Sequence, residues 1–117
     1  MRTNCSHVVL ENFFEPCILF LLLEKSSYGY ELTKNLKDRC GCSVNVGNLY
    51  RCLSRLVKNK DIEKKKVKSD LGPNRVMYEL NPKGKILLND WIVALEEQNK
   101  TISKLIKNYK NKYDSSK

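Results

Sequence analysis

Asn48, Arg51, Arg55 and Lys58 recur at intervals of three or four residues, so a helix through this stretch would carry them on one side. Their types suit one chemistry. An Arg guanidinium can donate two parallel hydrogen bonds to O6 and N7 of guanine, and an Asn carboxamide can pair in the same way with N6 and N7 of adenine. Tyr50 and Ser54, slightly further round the helix, offer hydroxyls of the kind that contact phosphate oxygens, as do the N–H groups of a helix N-terminus. This face is expected to read base edges in a DNA major groove. A solvated polar face is the competing reading for any single helix, so the surrounding elements must decide.

Those elements can be followed along the chain. Within VNVGNLYRCLSRLVKNKD, Asn45 is a good N-cap and belongs to the candidate contact set, while Leu49, Cys52, Leu53, Leu56 and Val57 form one apolar stripe opposite the polar face. Upstream, Ser27 is expected to cap a second amphipathic helix. Glu31 falls in its first turn, Leu32, Leu36 and Cys40 repeat every four residues, and Gly41 ends it. Before that, an apolar helix is expected from Pro16 to Glu24 through CILFLLL. Two short helices a few residues apart, the second presenting Asn and Arg outward, form the pattern of a helix-turn-helix.

Downstream, IEKKKVK and RVMYEL flank a Gly-Pro turn and predict a β-hairpin, with Val76, Tyr78 and Leu80 alternating onto one face. Such a wing would carry Lys64, Lys65, Lys66, Lys68, Asn74 and Arg75 toward the phosphates flanking the groove. The fold class predicted is mainly α with a two-stranded β wing.

The last helix is expected to open at Asn81 as N-cap with Pro82 in its first turn, and no breaker follows. Leu88, Leu95, Ile102 and Tyr109 recur every seven residues, interleaved with Trp91 or Ile92 and with Leu105 or Ile106. Thirty residues of helix span about 45 Å, more than a small core covers, so the distal half is expected to meet a second copy; an antiparallel return onto its own domain is the alternative. The predicted homodimer interface is Leu88, Trp91, Ile92, Leu95, Ile102, Leu105, Ile106 and Tyr109, with Trp91 and Leu95 as candidates for stacking an aromatic effector. The division predicted is a winged helix-turn-helix domain at 1–80 and a dimerisation helix at 81–117.

Composition agrees with this reading and excludes others. The 117 residues carry a net charge of +9, balanced over the first forty positions and basic thereafter, which favours a polyanionic partner. The longest apolar run, from Cys17 to Leu23, is far short of the roughly 20 residues that span a bilayer, so no membrane partner and a cytoplasmic location are expected. Five cysteines without a secretion signal read as thiols. Cys5, His7, Cys40 and Cys42 have ligand types that suit zinc, but their spacings are tighter than zinc sites use, so neither metal nor cofactor is expected; Cys40 or Cys42 could instead sense redox state. The single His7 has no placed partner and no Gly-rich phosphate loop occurs, so the chain is not expected to be an enzyme.

The assembled segments ILFLLLEKSSYGYEL, VNVGNLYRCLSRLVKNKDI and RVMYELNPKGKILL resemble the PadR family of transcriptional regulators, over most of the chain from Phe14 to Tyr109. By that resemblance Gly29, Tyr30 and Glu31 fall on the signature of the second helix. Gly47, Leu49 and Tyr50 fall on that of the recognition helix, and Tyr78, Leu80 and Gly84 on that of the wing and beyond. The resemblance implies a homodimeric repressor at a palindromic operator, released by a small aromatic molecule or another signal. The competing function is a winged-helix module for protein interaction or DNA maintenance without an effector. Tyr28, Val46, Asn48 and Arg51 depart from the residues common in the family. In its multidrug-binding members, a Trp from each long helix sandwiches planar drugs; Leu95 stands near that position here, and Trp91 one turn before it.

Overall fold

The computed structural model describes residues 14–41, 45–68, 72 and 75–115. Cys5, His7, Cys42 and Asn74 lie outside the described residues, and so does most of the hairpin turn. The first helix, α1, runs Phe14–Glu24 and buries Pro16, Cys17, Ile18, Leu19, Leu21 and Leu22. Pro16 sits within the first turn, where its missing N–H leaves no intrahelical bond unmade. Phe20 and Leu23 remain exposed, so an all-apolar sequence gives a helix buried on most of its surface but not all of it.

A two-residue strand, β1 (Ser27–Tyr28), follows, and the second helix, α2, occupies Gly29–Cys40. This corrects the expected cap. Ser27 is buried, pairs with Tyr78 across the sheet, and donates its Oγ to the Lys25 carbonyl at 2.9 Å. Tyr28 therefore takes the N-cap position, and its backbone N–H donates to Glu31 Oε1 at 2.9 Å. Leu32 and Leu36 are fully buried and Cys40 partly so. Gly41 ends α2 in the left-handed conformation, φ 67°, and donates its N–H to the Leu36 carbonyl.

Helix α3 spans Val46–Lys58, with Asn45 as its N-cap accepting from the Asn48 N–H at 3.2 Å. Its end is a Schellman turn: Lys60 N–H donates to the Val57 carbonyl at 3.0 Å and Asp61 N–H to the Leu56 carbonyl at 2.9 Å. The position that glycine usually fills is Lys60, at φ 64°. Strands β2 (Ile62–Val67) and β3 (Arg75–Leu80) then form the hairpin, in a register that pairs Ile62 with Leu80 and Val67 with Arg75. The sheet order is β1-β3-β2, so the wing is seated on a third strand that the sequence reading did not contain. Tyr78 is buried, and Val76 and Leu80 pack against the core from the same face.

Helix α4 spans Pro82–Ser115. Its start is fastened to the turn after α3. Asn81 N–H donates to the Asp61 carbonyl at 3.0 Å, Asn81 Nδ2 to the Lys60 carbonyl at 3.1 Å, and Lys83 Nζ to the Asn59 carbonyl at 2.7 Å. The Asn81 side chain is thus turned back to Lys60, and its carbonyl begins the helix by accepting from Lys85 N–H at 3.1 Å. A Cβ on Gly84 would lie 2.1 Å from the Asp61 carbonyl oxygen, so only glycine lets α4 approach this closely. Helix α1 packs against both α2 and α4. Leu88 completes the core, whereas every residue from Glu96 to Tyr113 is exposed.

Candidate nucleic-acid interface

Helix α3 divides into two faces as its spacing requires. Leu49, Cys52, Leu53 and Leu56 are buried and Val57 packs partly against the core, while Asn45, Asn48, Arg51, Ser54 and Lys58 are exposed. Burial pushes the Cys52 thiol up to about 11, well away from the thiolate form that nucleophilic or redox chemistry uses.

Tyr50 belongs to the seam between α3 and α2. Its ring lies over Gly29, where a Cβ would meet the phenolic oxygen at 2.3 Å and Cζ at 2.9 Å. Gly29 is therefore small because Tyr50 occupies the space, and the hydroxyl lies beside the N-terminus of α2.

Arg55 shares the polar side but not its freedom. Its Nη2 donates to Glu15 Oε1 at 2.5 Å and lies 3.4 Å from Cys52 Sγ, so the guanidinium is turned toward α1. The Glu15 hydrogen bond raises its pKa above the ordinary value. Arg55 is exposed as expected, and its guanidinium is also paired with a carboxylate that sequence reasoning missed.

In the wing, Lys64, Lys65, Lys66, Lys68 and Arg75 are all exposed. Lys65 is paired with Glu79 at 2.9 Å across the strands, whereas no ion pair among the described residues engages Lys64, Lys66 or Lys68. Arg75 lies over the Tyr28 ring, 5.5 Å from its centroid, and Tyr28 stacks in turn on Tyr30 at 5.8 Å. Helix α3 contacts strand β2, the strand that carries Lys64, Lys65 and Lys66.

The residues expected to pair two long helices fall into three groups. Leu88 is 4% exposed within the chain's own core, which corrects its place in the outward seam. Trp91 and Leu95 are half-buried, and Trp91 donates its indole N–H to Glu15 Oε2 at 2.7 Å. Ile92, Ile102, Leu105, Ile106 and Tyr109 are exposed, Leu105 most of all at 69%. Val93 and Tyr113 on the same helix, and Phe20 and Leu23 on α1, are also exposed without having been anticipated.

With this geometry in place, comparison with known proteins decides the family. The model of the transcriptional regulator PadR-like family matches residues 18–90. The chain belongs to that family. PadR-like regulators of known structure superimpose closely. One from Bacillus cereus is 32% identical with a TM-score of 0.72, covering 83% of this chain and 94% of that one. A transcriptional regulator from Clostridium thermocellum is 28% identical with a TM-score of 0.75, covering 82% and 95%. PadR of Bacillus subtilis, solved in complex with operator DNA, is 26% identical with a TM-score of 0.64; the match covers 70% of this chain but only 48% of that longer one. An uncharacterized protein of Lysinibacillus sphaericus is 29% identical over 86 residues, 72% of this chain and 79% of its own. This PadR-like protein is accordingly a transcriptional regulator and not an enzyme. Among the described residues no helix is long and apolar enough to cross a membrane, and no group of three His, Cys, Asp or Glu is placed to hold a metal ion.

Proposed function

We propose that this PadR-like protein is a dimeric, sequence-specific DNA-binding repressor, with residues 1–80 as the DNA-binding part and 81–117 as the dimerisation helix. Helix α3 enters the major groove, where Asn48 and Arg51 meet base edges. Tyr50, Ser54 and Lys58, with the N-terminal N–H groups around Asn45, take phosphates, and Lys64, Lys66, Lys68 and Arg75 follow the adjoining backbone. The observation that carries this reading is the exposure of Asn48 and Arg51 on α3, together with three exposed wing lysines that no ion pair among the described residues engages. The operator-bound Bacillus subtilis relative supports it from outside the chain.

A second copy completes the molecule. Eighteen consecutive exposed residues include Ile102, Leu105, Ile106 and Tyr109, apolar side chains that the chain's own core leaves uncovered. Pairing of these stripes would set the two α3 helices at a fixed distance, as half-sites one DNA turn apart demand. Release by a flat aromatic molecule at Trp91 and Leu95 is the regulatory part of the proposal; such a ligand must favour the spacing that does not fit DNA.

Selection of genomic fragments on the purified protein, followed by titration of the recovered sequence across a salt series, tests the function. A palindromic fragment bound with an affinity that falls steeply in log salt supports it. Fragments without a common sequence, bound with a shallow slope, count against it.

A further inference from the structure

We infer that Glu15 is a positioning residue that couples the long helix α4 to α3, and so sets the angle at which the recognition helix is presented. The inference rests on the reading of α3 as that helix. Glu15 stands in the first turn of α1, its side chain only 16% exposed, and each carboxylate oxygen has its own donor. Oε1 accepts from Arg55 Nη2 at 2.5 Å and Oε2 from Trp91 Nε1 at 2.7 Å. Three helices meet on one planar group, so the carboxylate cannot rotate to follow Trp91 without altering its bond to Arg55. Bonds to a charged acceptor are about twice as strong as neutral ones, which makes this a firm junction.

The junction matters because α3 and α4 hardly touch elsewhere. They are fastened at one end, where Asn81, Lys83 and Gly84 hold the turn Asn59–Asp61. Beside that clamp lies an open groove of about 480 Å³, lined by Glu15, Arg55, Leu56, Ile86, Leu87 and Asp90 among others. The shared core holds α3 and α4 by non-directional apolar packing through Leu88, and the Glu15 bridge adds a directional polar link between them. Arg55 lies one turn from Arg51, so a change at Glu15 reaches the residue expected at a base edge. Trp91 lies at the start of the exposed seam, so a change in the pairing of the long helices reaches Glu15.

Glu15→Gln provides a test whose sign separates positioning from plain electrostatics. Removing a negative charge near a DNA-binding surface should by itself tighten binding to every duplex. Loss of positioning should instead weaken binding to the recovered operator by about tenfold, while a scrambled duplex is bound no more weakly than by wild type. Trp91→Phe keeps an aromatic ring against the core, with a smaller volume, and removes the N–H. It should also weaken operator binding, by about threefold or more in the wild-type background, and have no effect once Glu15 is Gln. Operator binding by Glu15→Gln at wild-type strength or tighter overturns the inference. So does a Trp91→Phe effect that persists in full beside Glu15→Gln. Wild-type protein that prefers no sequence would overturn the DNA-binding reading instead, which the same titration reveals before any variant is compared.

Discussion

At the scale of single residues, the signature glycines acquire physical reasons that differ from one another. Gly29 is small because the Tyr50 ring fills the space above it, and Gly84 is small because the Asp61 carbonyl oxygen does. The second contact is with backbone and cannot yield by a rotamer change. Gly84→Ala, which in an unencumbered helix would gain about 1 kcal/mol of propensity, is therefore expected to cost about 1–3 kcal/mol in a denaturant melt. Lys60 presents the opposite case. It occupies the left-handed position of the Schellman turn at φ 64°, where a Cβ is strained. Lys60→Gly should raise the melting temperature, with a gain of about 1 kcal/mol or less once the entropy of glycine is set against the relieved strain. Glu15 was not legible in the sequence at all. Its partners lie 40 and 76 positions away, and nothing in local periodicity marks a carboxylate that joins three helices. For the same reason, helical spacing gave Arg55 its side of α3 but not the carboxylate beside it.

At the scale of elements, periodicity made α3 and the first half of α4 legible, because each has an apolar stripe that the core must cover. Asn45 and Gly41 marked their helix ends correctly through local chemistry. The start of α2 was displaced by one residue because Ser27 is claimed by β1, a two-residue strand whose partner lies fifty positions on and which no propensity signal announces. The wing was legible as a hairpin, but its charges are not equivalent. Glu79 already pairs with Lys65, whereas no ion pair among the described residues engages Lys64, Lys66 or Lys68. Replacing the last three with Gln should lower affinity for all duplexes and reduce the slope of log affinity against log salt by up to about 0.9 per lost phosphate contact. Lys65→Gln alone should change that slope much less. Equal effects would mean that the Glu79 pair opens on DNA.

At the scale of the whole molecule, the seven-residue recurrence in the last helix combined two different jobs. Leu88 serves the chain's own core, whereas Ile92 and the apolar residues beyond Leu95 are left exposed for a partner. Sequence periodicity cannot separate these, since both require apolar residues at the same spacing. Truncation after Gln98 spares Leu88, Trp91 and Leu95, so the core should survive while Ile102, Leu105, Ile106 and Tyr109 are removed. Sedimentation is expected to find the full chain dimeric at micromolar concentration and the truncated one monomeric with its helical circular dichroism otherwise retained; a full chain that sediments as a monomer rules out the pairing. The central claim, that α3 reads bases with Arg51, is tested most directly by titrating wild type and Arg51→Ala in parallel on the selected operator and on a scrambled duplex at one salt concentration. A loss of about 1–3 kcal/mol on the operator, with little change on the scrambled duplex, is the expected result. Equal binding by the two proteins, or an equal loss on both duplexes, would contradict it.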